Sequence, residues 1–228
     1  MKHRRSLYKY FSERRWAEAF LDGQLLFRSL AYFRDHEEKG TRGDENEGRS
    51  LFHPDGGLVV NNETQGKTFT LPGHALASTA NQEEIFVFCV SRSLSDQLRD
   101  EFGAGLYVEI LNIPEFCAQI ESALPSQATL PGRPGHTRIG HRVAYYRESE
   151  AASPRWALPD LIATSKLQRY ARQDEFRLVF SLTDALGFEN VKVQVLPVGT
   201  RVQANPAEHR SHLVKAASLR DICRLHEF

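Results

Sequence analysis

At the centre of the sequence stands the apolar run Ile85-Phe86-Val87-Phe88-Cys89-Val90. It carries no charge and is rich in β-branched and aromatic residues, a composition typical of a central strand covered on both faces. Shorter segments with strand composition flank it: Tyr8–Phe11, Gln24–Phe33, Val59–Val60, Lys67–Leu71, Leu106–Leu111, Arg138–Arg147, Glu175–Ser181 and Val191–Leu196. The sequence therefore predicts a sheet built around residues 85–90.

Five helices are predicted between and after these strands; the first two have a serine cap and a terminal glycine, and the third has proline in its first turn. They run from Ser12 to Gly23, from Ser95 to Gly103, from Pro114 through Ile120, from Leu158 to about Lys166 and, on apolar spacing alone, from Ala207 to Phe228. Strands outnumber helices, which favours a mixed, split-sheet α+β fold with short flanking helices. We expect residues 1–228 to form a single domain, with the Pro- and Gly-rich segment 124–135 as a surface loop or flap.

The overall composition excludes several classes of protein. The 228 residues are 41% hydrophobic, and 29 basic residues balance 29 acidic ones, so any nucleic-acid binding must rest on a local patch. No apolar run has the length of a signal peptide or of a membrane span, which predicts a cytoplasmic protein without membrane contact. The three cysteines are far apart and match neither a disulfide framework nor a zinc site.

A charge-rich loop from Arg34 to Glu47 is the first candidate site. Its glycines and alternating charges suit a backbone that bends around an anion, with Arg34 or Arg42 on phosphate and Asp44 or Glu47 ordering them. A solvated charge run is the alternative. Asp35, Asp44 and Glu47 also allow a divalent metal site, although their spacing matches no defined calcium loop.

The second candidate site is the start of the strand at Glu175. Strand alternation places Glu175 and Arg177 on one face and Phe176 and Leu178 on the other. The pair can be an exposed salt bridge. The functional alternative is a carboxylate that stabilises a cationic, oxocarbenium-like centre while the arginine holds a diphosphate.

The order of these segments resembles a widespread group of prokaryotic proteins, several of them encoded in defence or toxin loci, and through them the ADP-ribosyltransferase superfamily. The resemblance rests on three short motifs and covers the two ends of the chain better than residues 51–135. They are Tyr8-Lys9-Tyr10 with the helix ending at Gly23, Leu26-Phe27-Arg28-Ser29-Leu30 followed by Phe33-Arg34-Asp35, and Gln173-Asp174-Glu175-Phe176-Arg177.

The resemblance implies an NAD-dependent ADP-ribosyltransferase with Glu175 as its catalytic residue. The residues then expected at NAD are Lys9 or Tyr10 on the first strand, Arg28 and Ser29 on the second, and Arg34, Arg42, Tyr170 and Arg177 around them. Lys9 or Tyr10 stands where the superfamily usually has histidine or arginine. Tyr170 is expected either to stack on nicotinamide or to pack in the core.

The expected partners are NAD as co-substrate, a nucleic-acid or protein acceptor, and an antitoxin or defence-system partner. Two other functions account for the same charged segments. One is a non-catalytic module that senses a nucleotide or nucleic acid, and the other is a metal-dependent nuclease using Asp35, Asp44, Glu47 and Glu175. We expect the transferase, with no resident metal.

Overall fold

The computed structural model describes residues 6–35, 46–132, 138–150, 153, 156–200 and 208–228. The strands are β1 (Leu7–Phe11), β2 (Gln24–Ser29), β3 (Arg49–Phe52), β4 (Leu58–Asn62), β5 (Lys67–Leu71), β6 (His74–Ala80), β7 (Ile85–Ser91), β8 (Leu106–Ile110), β9 (Gly140–Arg142), β10 (Ala144–Tyr146), β11 (Ser165–Leu167), β12 (Glu175–Ser181), β13 (Val191–Pro197), β14 (Ser211–Lys215) and β15 (Cys223–Glu227). The helices are α1 (Arg14–Leu21), α2 (Leu30–Asp35), α3 (Asp96–Phe102), α4 (Ile113–Ser122) and α5 (Pro159–Ala163), with 3₁₀ turns at Gln168–Gln173 and Phe188–Asn190. The fold is mixed α+β with strands in the majority.

Eight of these strands form the main sheet, and the predicted central run is its middle strand, β7. Strand β12 pairs antiparallel with β7 from Ile85 to Ser91 and carries β9 on its other edge. The second edge of β7 is shared: β2 pairs near Val87 and continues to β14, whereas β1 pairs at Ser91 and continues to β8 and β15. The sheet therefore forks on one side of β7 into two wings, one made of β2 and β14 and the other of β1, β8 and β15.

We call the edge of β7 between Val87 and Ser91 the sheet fork. There the two wings diverge, so β7 has no strand partner on this edge, although β12 still pairs with its other edge. A backbone carbonyl on the open edge needs another hydrogen-bond donor. Lys9 of β1 supplies it, because its Nζ donates to the Cys89 carbonyl at 2.8 Å. The same ammonium lies 4.4 Å from the centre of the Phe88 ring.

Helices α3 and α4 begin at a capping side chain, whereas α1 begins after Glu13 without a side-chain cap, so the predicted Ser12 cap is wrong. Ser95 Oγ accepts from the Leu98 N–H at 3.2 Å, and α3 stops at Gly103, whose φ of 57° is left-handed. Asn112 Oδ1 accepts from the Glu115 N–H at 3.3 Å at the start of α4, which also holds Pro114 in its first turn as predicted. These caps confirm the two predicted helices on either side of β8.

The two faces of the main sheet differ. Residues directly opposite in register share a face, so one face carries the apolar cluster around Phe27, Phe88, Phe116 and Phe180. The other face carries a smaller apolar cluster around Val87 and Val179, and then polar side chains toward the start of β12. The candidate site lies on this second face.

Four predicted elements differ from the structure. Gln24–Phe33 divides into β2 and α2, Arg138–Arg147 into β9 and β10, and Leu158–Lys166 into α5 and β11. The predicted C-terminal helix is wrong, because Ser211–Lys215 pairs with β2 and Cys223–Glu227 pairs with β8. Each of those strands completes one wing of the fork, a long-range pairing that local apolar spacing does not encode.

Segment 124–135 is described as far as Gly132. Within that part, Thr129 exchanges backbone hydrogen bonds with Ser181 at 2.8 and 3.0 Å, and Leu124, Ala128 and Leu130 pack against the larger core. The first two thirds of this segment are therefore anchored to the end of β12. Within the described ranges, no helix has the length and hydropathy needed to cross a membrane.

Candidate functional site

Strand β12 begins with a charged pair inside the protein. Glu175 and Arg177 share one face, as alternation predicts, while Leu178 packs into the apolar core on the other. Both charged side chains are buried, so the exposed salt bridge considered from sequence is wrong. Burial of charge without partners is very unfavourable, which makes their partners the next question.

Glu175 is held by two cations. Its Oε1 accepts from Lys166 Nζ at 2.6 Å, and its Oε2 accepts from Arg177 Nε at 2.9 Å. Lys166 stands on β11, which runs parallel to β10 beside the start of β12. Both carboxylate oxygens are therefore engaged by charge-assisted hydrogen bonds.

Arg177 connects Glu175 to a second carboxylate. Its Nη1 and Nη2 donate to the two oxygens of Glu47 at 2.6 and 2.8 Å, and Nη1 also donates to the Ala163 carbonyl at 2.6 Å. Two negative and two positive side chains thus alternate in one buried chain. We call Glu47, Arg177, Glu175 and Lys166 the charge network.

Polar side chains surround Lys166 and the backbone of Glu175. Lys166 Nζ donates to Gln173 Oε1 at 2.8 Å and lies 4.8 Å from the centre of the Tyr170 ring. The Glu175 N–H donates to the Tyr145 hydroxyl at 2.8 Å. Tyr170 is itself buried beneath Lys166, and Arg169 lies 5.1 Å from its ring centre, which places it as packing for the network.

The network keeps Glu175 and Arg177 ionised. Burial alone would raise the pKa of Glu175, but the charges and hydrogen bonds of Lys166 and Arg177 outweigh it and lower that pKa to about 2. Burial likewise works against the charge of Arg177, yet Glu47 and Glu175 hold its pKa well above the ordinary value. Glu175 is therefore a fixed carboxylate at neutral pH.

Asp174 fixes the approach to Glu175. It has a left-handed backbone with φ of 41°, unusual for a residue with a Cβ. Its carboxylate accepts from Arg92 Nη1 at 2.7 Å and from Ser93 Oγ at 2.9 Å, and its carbonyl accepts from the Arg92 N–H at 2.8 Å. This anchoring orients the first residue of β12.

Cys89 lies at the sheet fork on the same face as Arg177, its partner in register. The residue is half-buried, and burial first and the Glu175 carboxylate second raise the pKa of its thiol to about 11. The Cys89 thiol is therefore protonated at neutral pH, and its titration reports on the charge of Glu175.

The sheet brings the N-terminal strand close to Glu175. Ser91 pairs with Glu175 on one side and with Tyr8 on the other, so these two residues share a face and are one strand apart. Two such spacings place their Cα atoms roughly 10 Å apart. Tyr10 shares the face, and its hydroxyl donates to the Ser93 carbonyl and accepts from the Ser95 N–H.

The second predicted group lies on the opposite wing. Arg28 pairs with Val87, shares the face of Glu175 and lies 4.6 Å from the centre of the Tyr32 ring. Val87 is four residues from Ser91 along β7, roughly 13 Å. Ser29 faces the other side, and its Oγ accepts from the Arg210 N–H at 3.3 Å.

The charged loop is divided between described and undescribed residues. Arg34 donates to Asp35 at 2.6 and 2.7 Å and also to Gln82, while Glu47 belongs to the charge network. Arg42 and Asp44 lie outside the described residues. In the described part of the chain, no group of three or more histidine, cysteine or acidic side chains is placed to hold a metal ion.

Two surface cavities are lined by residues outside the charge network. One is bordered by Asn112 and Arg224, and the other by Arg138, Arg142 and Phe176; Glu175 lines neither. Glu175 is nevertheless the most exposed member of the network, since its side chain keeps 10% exposure against 5% for Lys166, 2% for Glu47 and 1% for Arg177. The opening of the network is therefore at Glu175.

Sequence reasoning missed Lys166, Gln173, Tyr145 and Cys89. A signal for Lys166 was present, because residues 161–167 contain a single charge in an otherwise uncharged run. Such a charge needs a partner if the run is buried, and Lys166 is. Comparison with protein-family models, with curated proteins and with solved structures gave no match to the chain.

Proposed function

We propose that this chain is an NAD-dependent ADP-ribosyltransferase in which Glu175 is the catalytic carboxylate. The observation that carries the proposal is an ionised carboxylate, with a pKa of about 2, one strand away from the N-terminal strand at a fork in the sheet. The family resemblance of the two chain ends led to the same residue, and the pairing with β7 makes those ends neighbours.

The chemistry needs a charge that is fixed before the substrate arrives. Loss of nicotinamide breaks the bond between the ribose C1′ and the pyridinium nitrogen, and leaves positive charge on the ribosyl centre. A preorganised carboxylate stabilises that charge without reorganisation. An acceptor nucleophile then forms the new bond to C1′ and releases its proton to solvent, so the products are ADP-ribosyl acceptor, nicotinamide and a proton.

The network supplies the preorganisation. Lys166 and Arg177 fix both oxygens of Glu175, and Glu47 fixes Arg177 in turn. In this proposal Arg177 positions Glu175 and does not touch the diphosphate, which differs from the role expected from sequence. Arg28 and Tyr10, on the two wings of the same face, are the described residues proposed to contact NAD.

A specific observation favours a second function, a module that senses a nucleotide without catalysis. Both oxygens of Glu175 are already bound by cations, and a carboxylate in that state is also a purely structural group. If NAD raises the melting temperature of the protein and no nicotinamide is released, the result supports the sensing module.

The test is incubation of the purified chain with NAD labelled in its adenylate half and a crude lysate, followed by separation into protein, RNA and DNA. We expect label in one fraction with the wild type and none with Glu175→Gln. Glu109→Gln is the matched control, because Glu109 lies on the same sheet face in β8 and should keep full transfer. Equal labelling by wild type and Glu175→Gln would sink the assignment.

A further inference from the structure

A basic groove lies along the outer edge of β9. Its volume is about 560 Å³, and its lining includes Arg138, His141, Arg142, Ser165 and Phe176. β9 pairs with β12 on one edge only, so the groove runs between that outer edge and the α5–β11 segment. We call it the β9 groove.

The charge of the groove comes from two exposed arginines. Within the described ranges, no carboxylate lies within ion-pairing distance of the Arg138 or Arg142 guanidinium, whereas Arg34, Arg92, Arg172 and Arg210 each pair with one. Unpaired guanidinium groups in a concave surface attract phosphates, which they bind with parallel N–H donors. The groove therefore suits an anion with several phosphate oxygens.

His141 adds a neutral hydrogen-bonding group. Burial lowers the pKa of its imidazole, and its Nε2 lies 2.8 Å from the Arg138 carbonyl. A neutral ring that donates from Nε2 keeps Nδ1 as an acceptor. This arrangement also ties Arg138 to the strand that lines the groove.

Phe176 provides an aromatic surface. Its ring is half-buried and rests against Gly140, where an added Cβ would lie 2.7 Å from Cζ. Glycine at this position therefore leaves room for the ring at the edge of the groove. Aromatic side chains beside cationic ones are the usual elements of single-strand recognition, because any base can stack on them.

The groove also adjoins the proposed catalytic residue. Phe176 follows Glu175 in the chain, the Val143 N–H donates to the Glu175 carbonyl at 3.0 Å, and Ser165 precedes Lys166. The β9 groove and the charge network therefore share the backbone at the start of β12. Phe176 and Glu175 are consecutive residues that point to opposite faces of β12, so a ligand in the groove lies next to the strand that carries Glu175.

We infer that the β9 groove binds a single-stranded nucleic acid, with backbone phosphates on Arg138 and Arg142 and a base against Phe176. The inference rests on the proposed function and names its acceptor class. Phosphate contacts position the strand without a globally basic protein, in agreement with the balanced charge of the chain.

The test is fluorescence anisotropy with a short labelled oligodeoxythymidine and the corresponding oligouridine. Arg138→Ala combined with Arg142→Ala should weaken binding roughly tenfold or more and reduce the slope of log affinity against log salt by about 1.4. Lys67→Ala combined with Lys192→Ala removes the same charge from exposed sites elsewhere and should leave affinity nearly unchanged. Ala144→Trp, which obstructs the groove and keeps both arginines, should also abolish binding.

Three results would overturn the inference: no binding of either oligonucleotide by the wild type, equal losses in the two double variants, or tighter binding of a phosphoserine peptide than of the oligonucleotides. Release of nicotinamide from NAD separates this inference from the proposed function. Nicotinamide release without oligonucleotide binding removes the acceptor assignment alone. Oligonucleotide binding without nicotinamide release would contradict the transferase proposal and would leave the β9 groove as a nucleic-acid binding site.

Discussion

The two faces of the main sheet are both buried, one by aromatic side chains and the other by charged side chains. On one face, Phe27, Phe88 and Phe180 pack ring against ring at centroid distances of 5.0 to 5.6 Å. On the other, near the start of β12, four charged side chains that are each at most 10% exposed pair with one another. Both faces are buried, yet only the first is explained by the hydrophobic effect.

The difference makes the charged face the region to test for a role other than stability. Removing two charges from water is so unfavourable that well-packed apolar side chains of similar volume are often as stable or more so. An aromatic core needs no such compensation. Substitutions in the charge network therefore test for function, and substitutions on the aromatic face serve as the reference for their effects on stability.

The largest expected effect comes from breaking the network at its centre. Arg177→Met removes both hydrogen bonds to the Glu47 carboxylate and leaves it only Lys166, whose Nζ lies 4.0 Å from Glu47 Oε2. The free energy of unfolding should fall by about 3–5 kcal/mol, measured by urea denaturation. Phe180→Ala on the aromatic face should lower it by about 3–5 kcal/mol as well.

A second substitution at Glu47 should restore stability to Arg177→Met but not to Phe180→Ala. Adding Glu47→Leu to Arg177→Met removes the carboxylate that lost its two hydrogen bonds and leaves the Glu175–Lys166 pair, so stability should recover by at least half. Adding Glu47→Leu to Phe180→Ala should bring no recovery. A double variant no more stable than Arg177→Met would mean that lost packing, not unpaired charge, sets the first effect.

The next effect is a dependence of stability on acid. The pKa of Glu175 is about 2 in the folded protein against an ordinary value of 4.5, so its stabilisation is complete above about pH 4.5 and is lost as the pH falls toward 2. The difference amounts to on the order of 3 kcal/mol. Urea denaturation over this range should show a flatter profile for Glu175→Gln; identical slopes for the two proteins would contradict the assigned pKa.

A smaller effect is expected at Asp174, which holds the start of β12. Asp174→Ala should lower the free energy of unfolding by about 1–3 kcal/mol, because it strains a left-handed backbone and removes the hydrogen bonds to Arg92 and Ser93. Asp174→Gly keeps the conformation and should lose less, and Asp174→Asn least. Chemical denaturation gives the ranking, and equal losses in all three variants would exclude the backbone contribution.

The smallest effect is on the chemistry of a thiol. The Glu175 carboxylate contributes to the raised pKa of Cys89, so Glu175→Gln should lower that pKa and speed alkylation by iodoacetamide severalfold at mildly alkaline pH. Cys117, whose pKa is raised to about 11 by burial and by Glu121, is the internal control and should react as before. Acceleration of both thiols alike would indicate loosened structure.

Much of the fold was predictable because its signals are local. The apolar run 85–90 became β7, and Ser95 with Gly103 bounded α3. The C-terminal strands were not, since Leu213 and Leu225 occur at spacings that suit a helix and only pairing with β2 and β8 makes them strands. Distant pairing decides such segments, and short windows do not contain it.

The candidate site was half predictable for a similar reason. Strand alternation placed Glu175 and Arg177 on one face, but it does not determine whether that face is exposed to solvent or buried. The partners that bury it, Glu47 and Lys166, come from a charged loop and from the end of a predicted helix, 128 and 9 residues before Glu175. Nothing local in the sequence joins three such distant segments.

The most direct test of the central claim is the rate of nicotinamide release from NAD by the purified chain, followed by chromatography. We predict release by the wild type, loss of at least about two orders of magnitude in Glu175→Gln at a temperature at which that variant is still folded, and full activity in Glu109→Gln. Glu175→Gln that releases nicotinamide at the wild-type rate, while still folded, would show that the charge network is purely structural.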